Sequence, residues 1–189
     1  MRKALFLPAP GPARAEPRSP AAGPGRPAGR TMKRLLCVMM AMTAAGSLLA
    51  AAPEVPYPTG YRDWHHVKSM VIEQGHPLFE SFGGLHHLYA NKKAMQGYRA
   101  GKFPDGAVIV FDLLDAKRAD AALTEGERKV LGVMRKDARK YAATGGWGFE
   151  GFAGGDKTRR AVGAKAATAC YACHTERKDH DFVFSGLRD

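Results

Sequence analysis

Cysteine is scarce in this chain, with three in 189 residues, at Cys37, Cys170 and Cys173. A zinc finger is thereby excluded: it needs two further ligands at finger-like spacing, and His180 is the only candidate near the Cys170–Cys173 pair. No apolar run reaches the roughly twenty residues of a membrane span. Acidic residues are almost missing from the first 52 positions, where Glu16 is the sole acid beside 8 of the 29 Lys and Arg. The formal net charge of +11 is concentrated there, and the rest of the chain holds 21 basic and 17 acidic residues. A well-mixed surface without a basic stripe does not track phosphates, which excludes nucleic acid as a partner. Long heptads are absent as well, so a helical bundle is not expected.

Residues 1–31 are rich in Pro, Gly, Ala and Arg and lack apolar periodicity. Such a segment cannot bury a core, and it reads as a disordered, over-extended start. A fresh beginning stands at Met32, where Lys33 and Arg34 precede the apolar run Leu35 to Leu49 and the small residues Ala50, Ala51 and Ala52. Residues 32–52 therefore read as a cleavable signal peptide, which implies export to the periplasm and no membrane attachment after cleavage. An uncleaved anchor is the alternative. Cleavage removes Cys37, leaving two cysteines in the mature chain.

The mature chain opens on an extended leader, residues 53–60, with three prolines. Residues 61–189 form one domain. Trp64, Val67 and Val71 lie at helical spacing, which predicts a helix over Tyr61 to Gln74. Leu85 to Ala90 reads as a short strand. Asn91 is placed to cap a helix with Ala94, Met95 and Tyr98 inward and Gly101 as its stop. Pro104-Asp105-Gly106 marks a turn before the β-branched run Ala107 to Leu114, and Val130 to Arg135 is a further strand candidate. A short helix is expected over Lys136 to Ala143. The run Gly145-Gly146-Trp147-Gly148-Phe149 reads as a turn entering an aromatic strand. The last helix should contain or approach Cys170 to His174, with a closing strand over Asp181 to Phe184. Strands mixed with a few helices predict an α+β fold with a mostly antiparallel sheet flanked by helices.

Cys170-Tyr171-Ala172-Cys173-His174 is a CxxCH motif. Two cysteines three apart present both sulfurs to one edge of a porphyrin, where they form thioethers with its vinyl groups. The adjacent His174 then lies beneath the ring as an axial ligand. This predicts one covalently attached haem c per chain, and an export signal agrees with it. A CxxC redox pair is the competing reading, but it needs a βαβ context that is missing. Only fifteen residues follow His174 and none is Met, so a sixth ligand would have to come from upstream. Met70, Met95, Met134, His65, His66, His76, His86 and His87 are the candidates, each with core packing or solvation as its ordinary role. An open distal face that takes a small exogenous ligand is the favoured expectation. A six-coordinate electron carrier, working with an electron-transfer protein, is the alternative.

Several stretches together resemble the cytochrome P-460 family, which includes the sheet-based cytochromes c-prime-beta. They are Phe103-Pro104-Asp105-Gly106-Ala107-Val108, Lys136-Asp137 with Lys140-Tyr141, Thr144 to Gly148, Cys170 to His174, and Asp181-Phe182-Val183-Phe184. The resemblance spans about residues 60–186. It implies an antiparallel sheet flanked by helices, often as a homodimer, and one haem c with His174 proximal and the distal pocket open. It further implies hydroxylamine oxidation, or binding of nitric oxide and similar gases. Oxidising relatives tie a lysine to the ring a few residues beyond Gly106, where this chain has Phe111, and they place a distal carboxylate near Gly132. Neither group is present, which leaves a gas-binding or redox haem protein with an apolar distal wall. Lys92, Lys93 and Lys102 are alternative sources of a ring-bound lysine.

Phe111 alternates with Ile109 and Leu113 and so belongs to one face of its strand. Phe111 and Trp147 are the expected haem contacts beside Phe149, with core packing as the competing role. Arg135, Lys136, Arg139 and Lys140 are candidates for pairing with propionates, or else a solvated charged face.

Overall fold

Five strands follow one another in chain order, each hydrogen-bonded to the last. They are β1 (His65–Ile72), β2 (Gly84–Ala90), β3 (Val108–Ala119), β4 (Ala122–Lys136) and β5 (Trp147–Ala153). The structure is a computed structural model that describes residues 54–188. Residues 1–31 and residues 32–52, expected to be a signal peptide, lie outside the described residues. The sheet is open and antiparallel in the order β1-β2-β3-β4-β5. With a few helices it makes the expected α+β fold. Among the described residues no helix is long and apolar enough to cross a membrane.

Alternation along the strands separates two cores. Leu88, Ala90, Ile109 and Phe149 belong to one face, called inner here, together with Phe103, Trp147, Phe182 and Val183. Val108, Val110, Leu131, Val133 and Phe152 belong to the outer face, covered by Val55, Tyr61 and Tyr141. A period of two along β3 sends Ile109 and Phe111 inward and Val108 and Val110 outward. The β3–β4 hairpin is longer than the apolar runs indicate, because a two-residue turn closes it. Asp120 and Ala121 both have positive φ, at 51° and 58°, between the paired Ala119 and Ala122. That is the primed turn whose twist matches the flanking strands.

The turn that leads into β1, Tyr61–Asp63, is fastened to the outer face by a buried polar cluster. Tyr61 donates its hydroxyl proton to Asp112 at 2.6 Å, and Arg128 grips the same carboxylate through two nitrogens at 2.5 and 3.1 Å. Asp112 is buried, so its charge is tolerated only because both oxygens are satisfied.

Helix α2 (Lys92–Ala100), which follows the short helix α1 (Phe79–Phe82), forms as its punctuation requires. Asn91 Oδ1 accepts the Ala94 amide at 2.8 Å, and Gly101 ends the helix at φ 73°. Ala94 and Met95 are buried, and Tyr98 packs against the same inner core.

Three expectations are corrected. The helix over Tyr61 to Gln74 is instead a single turn, Tyr61–Asp63, followed by β1. The β-branched Val67, Val71 and Ile72 suit a pleated surface, and a bulge between His66 and Lys68 shifts the alternation, so Trp64, Val67 and Val71 mimic helical spacing. The helix over Lys136 to Ala143 is a loop ending in one turn, Ala142–Thr144. Lys136 closes β4, and Asp137 Oδ1 accepts the amides of Arg139 and Lys140 at 3.2 and 2.9 Å, which fixes a turn. Asp181 to Phe184 pairs with no strand. Asp181 and Phe182 both have positive φ, at 50° and 66°, a conformation no strand adopts.

Candidate functional site

After β5 the chain turns around the sheet edge and is tied down by Glu150. Its Oε1 accepts the amides of Gly151, Val162 and Gly163 at 2.9, 3.0 and 3.1 Å, and Arg160 reaches Oε2 at 3.0 Å. Burial raises the Glu150 pKa, but these backbone donors and the guanidinium outweigh it, and the carboxyl lies below its ordinary value. The anchored loop delivers a helical segment made of a π-helical turn, Ala167–Tyr171, α3 (Ala172–His174) and a 3-10 stretch, Thr175–His180, kinked at Arg177.

That segment carries the CxxCH residues. Side chains three apart on a helix share one side, so Cys170 and Cys173 are neighbours, and both thiols are free. Cys170 packs against the inner core, and burial, then Glu150 and Cys173, push its thiol pKa up. His174 follows one residue later, with its ring 5.0 Å from that of Phe149 and 5.1 Å from that of Phe184.

The imidazole of His174 is oriented. Its Nδ1 lies 2.6 Å from the carbonyl oxygen of Phe182. A carbonyl only accepts, so Nδ1 carries the proton and Nε2 is the lone-pair nitrogen. That is the tautomer an axial ligand needs. Burial lowers the pKa of the ring despite the Phe182 carbonyl, which keeps it neutral.

The inner face of the sheet offers a matching surface. Gly132 and Gly151 stand in register across β4 and β5, and Phe111 pairs with Gly132 across β3 and β4. A Cβ on Gly132 would lie 3.3 Å from the Phe111 ring, whereas the space over Gly151 is taken by the side chains of Val130, Val162 and Ala161. Two free thiols, an imidazole with a free Nε2 and an apolar face are a donor set and a surface that fit a haem. A cavity of about 760 Å³ opens elsewhere, lined by Tyr57, Trp64, Lys92, Val108, Val133 and Arg135. It shares no residue with the CxxCH segment and belongs to the outer face.

The remaining sequence candidates are spread over the molecule. Trp147 is fully buried; its indole N–H donates to the Asp181 carbonyl at 2.8 Å, and its ring packs on Phe103. Met70 is exposed, Met95 is buried, and Met134 packs against the inner core. His66 and His87 both meet Ser69. His65 and His76 are exposed. Lys92, Lys93 and Arg135 line the outer cavity, Lys102 and Arg139 are exposed, and Lys140 reaches the Glu54 carbonyl at 3.2 Å. Lys136 is buried and pairs with Asp181, so it belongs to no solvated face.

Glu150 escapes sequence reasoning altogether, while Lys136 and His86, candidates for a propionate partner and an axial ligand, take other roles: Lys136 pairs with Asp181 and His86 packs beside Phe111. Glu150 and His86 are polar residues inside apolar stretches, and that oddity was their only signal, whereas Lys136 stands in a charged run. His86 is buried beside Phe111, with ring centroids 4.6 Å apart. Its Nε2 meets the Phe82 carbonyl, and its Nδ1 has no hydrogen-bond partner.

No curated protein matches the chain. The model of the Cytochrome P460 family matches residues 58–185, which is most of the chain and nearly all of the described part. A free CxxCH motif on an oriented helix, set against an antiparallel sheet, accords with the haem cofactor that this family implies, and the chain belongs to the cytochrome P460 family.

Proposed function

We propose that this is an exported, periplasmic protein whose single haem c is held by Cys170 and Cys173, with His174 on the iron and the opposite face open to a small ligand such as nitric oxide. The observation that carries this reading is the hydrogen bond from His174 Nδ1 to the Phe182 carbonyl, which frees Nε2 one residue beyond the Cys170–Cys173 pair. Bound there, the haem would supply an iron able to hold a diatomic ligand. Cys170 and Cys173 fix the ring edge, the Phe182 carbonyl holds the imidazole, and Phe111 presents an apolar wall without a proton to give. General acid–base chemistry needs a titratable group within about 2.6–3.2 Å of the reacting atom, and neither Phe111 nor Gly132 offers one. Ligand binding is therefore favoured over hydroxylamine oxidation.

The purified periplasmic protein provides the test. Haem that resists acidified-acetone extraction, a high-spin ferrous spectrum, and binding of carbon monoxide and nitric oxide are expected, with a mature N-terminus between Ala51 and Pro53. Extractable haem would refute covalent attachment. A low-spin ferrous form that refuses carbon monoxide at neutral pH would make the protein an electron carrier.

A further inference from the structure

The Phe182 carbonyl is held in place by an unusual construction. Asp181 and Phe182 are consecutive non-glycine residues in the left-handed region, at φ 50° and 66°. The left-handed region crowds the side chain against the backbone carbonyl, so the conformation persists only where the surroundings enforce it. Here three elements do so. Lys136, at the end of β4, donates to Asp181 Oδ1 at 2.6 Å. The Phe103 amide, between α2 and β3, donates to Asp181 Oδ2 at 2.8 Å. The Trp147 indole, at the start of β5, donates to the Asp181 carbonyl oxygen at 2.8 Å. The Lys136 and Asp181 side chains are only 8% and 12% exposed, and the Lys136 ammonium also lies 5.0 Å from the centre of the Trp147 ring. Every polar atom of Asp181 that faces inward is therefore occupied, and the next carbonyl in the chain points at His174.

We infer that Lys136, Asp181 and Trp147 form a positioning clamp for the axial histidine. By fixing the Asp181–Phe182 turn, they set the strength of the Nδ1–H···O bond and hence the electron donation of His174 to the iron. The inference rests on His174 being the axial ligand. Partners that orient a metal-bound histidine raise its basicity, and their loss typically changes metal affinity by about 10–100-fold. A more basic imidazole favours ferric iron, so loosening the clamp should favour ferrous iron.

The test uses the haem-loaded protein. The iron–histidine stretching band of the ferrous form is recorded first in the wild type and in His174→Ala. Loss of that band in His174→Ala establishes the axial ligand, and its persistence would defeat the parent reading rather than the clamp. The same band and the midpoint potential are then read in Lys136→Met, Asp181→Asn and Trp147→Phe. The expected result is a lower stretching frequency and a ferric-to-ferrous ratio, at fixed potential, lowered by about threefold or more. Lys136→Arg, which keeps the ion pair, should remain close to the wild type. Where Lys136→Met fails to accumulate, Trp147→Phe keeps the aromatic ring, removes a single hydrogen bond and reads the same property. Variants that bind haem with wild-type frequency and potential would overturn the clamp. A Lys136→Arg shift as large as that of Lys136→Met would overturn the role of the ion pair.

Discussion

Phe111 and Gly132 stand opposite each other across β3 and β4, with the Phe111 ring 3.3 Å from where a Gly132 Cβ would be. The resemblance gave these two positions the ring-bound lysine and the distal carboxylate of oxidising relatives. The register brings them to one spot on the inner face, which is what a shared pocket requires. A phenyl group and a hydrogen atom now occupy it. Peptide mapping of the haem peptide should find two thioethers and no lysine cross-link, and the visible spectrum should lack a red-shifted band. With hydroxylamine and an artificial electron acceptor, turnover should stay below about one per second, the low end of ordinary enzyme rates. A cross-linked lysine peptide would mean that a residue other than Phe111 holds the ring.

Asn91 ties three pieces of backbone together. Its Oδ1 accepts from the amides of Ala94 and Val108 at 2.8 and 3.1 Å, and its Nδ2 donates to the Gly106 carbonyl at 2.9 Å. Replacement by Ala removes the helix cap and strands the groups at the start of β3. A loss of about 1–2 kcal/mol is expected, read as a lower urea midpoint with an unchanged slope. Asn91→Asp should retain the cap and recover part of the loss.

Much of this was legible in the sequence because the signals were local. Asn91, Gly101 and the Pro104-Asp105-Gly106 turn each act through their own backbone, and the Ala107 to Leu114 run has no surface role that would blur its reading. CxxCH carries its chemistry in its spacing. The errors came where tertiary contacts decide. Val67 and Val71 fit a helix until β2 pairs with Val71 and leaves Val67 in the bulge between His66 and Lys68. Asp181 and Phe182 fit a strand until Lys136, Trp147 and Phe103 draw them into left-handed turns. Lys136 sits in a run of charge and reads as solvated, because the partner that buries it is 45 residues away.

Glu150 should make stability fall in acid. Its carboxyl lies below the ordinary glutamate value in the folded chain, where burial is outweighed by amide and Arg160 donors. As pH falls, the unfolded chain takes up the proton first. The stabilisation is therefore complete above the unfolded value, near pH 4.3, and disappears as pH drops through the lower folded value. Glu150→Gln leaves three backbone donors sharing one amide oxygen and Arg160 without its buried partner. The variant should lose about 2–4 kcal/mol at neutral pH and lose the acid-dependent component. Urea unfolding of both proteins at pH 7 and pH 3.5 checks this, and equal stability differences at the two pH values would remove Glu150 from the account.

His86 should produce a second pH dependence, in a higher window. Its side chain is buried, with Nδ1 unpartnered and Nε2 donating to the Phe82 carbonyl. The Phe82 ring stacks edge-on against Phe111 at 5.8 Å, so this hydrogen bond fastens the short helix α1 (Phe79–Phe82) over the wall that carries Phe111. Burial lowers the His86 pKa, Lys129 and His87 lower it further, and the Phe82 carbonyl opposes them only in part. An unfolded histidine titrates near pH 6.5. As pH falls, the unfolded chain therefore binds the proton while folded His86 stays neutral, and the native state loses stability. The contribution of the neutral imidazole is complete above about pH 6.5 and declines as pH drops from there toward the lower folded value. His86→Phe keeps a ring of similar size against Phe111, removes the unpartnered nitrogen and leaves the Phe82 carbonyl close to water. At pH 7.5 the cost should be within about 1–1.5 kcal/mol. Between pH 7 and pH 5.5 the variant should lose less stability than the wild type. His66 and His174 keep their own contributions in both proteins, so the difference between the two slopes reports His86 alone. Parallel slopes would show that His86 takes up its proton equally in the folded and unfolded chains, and that the nitrogen is solvated rather than sealed behind Phe82.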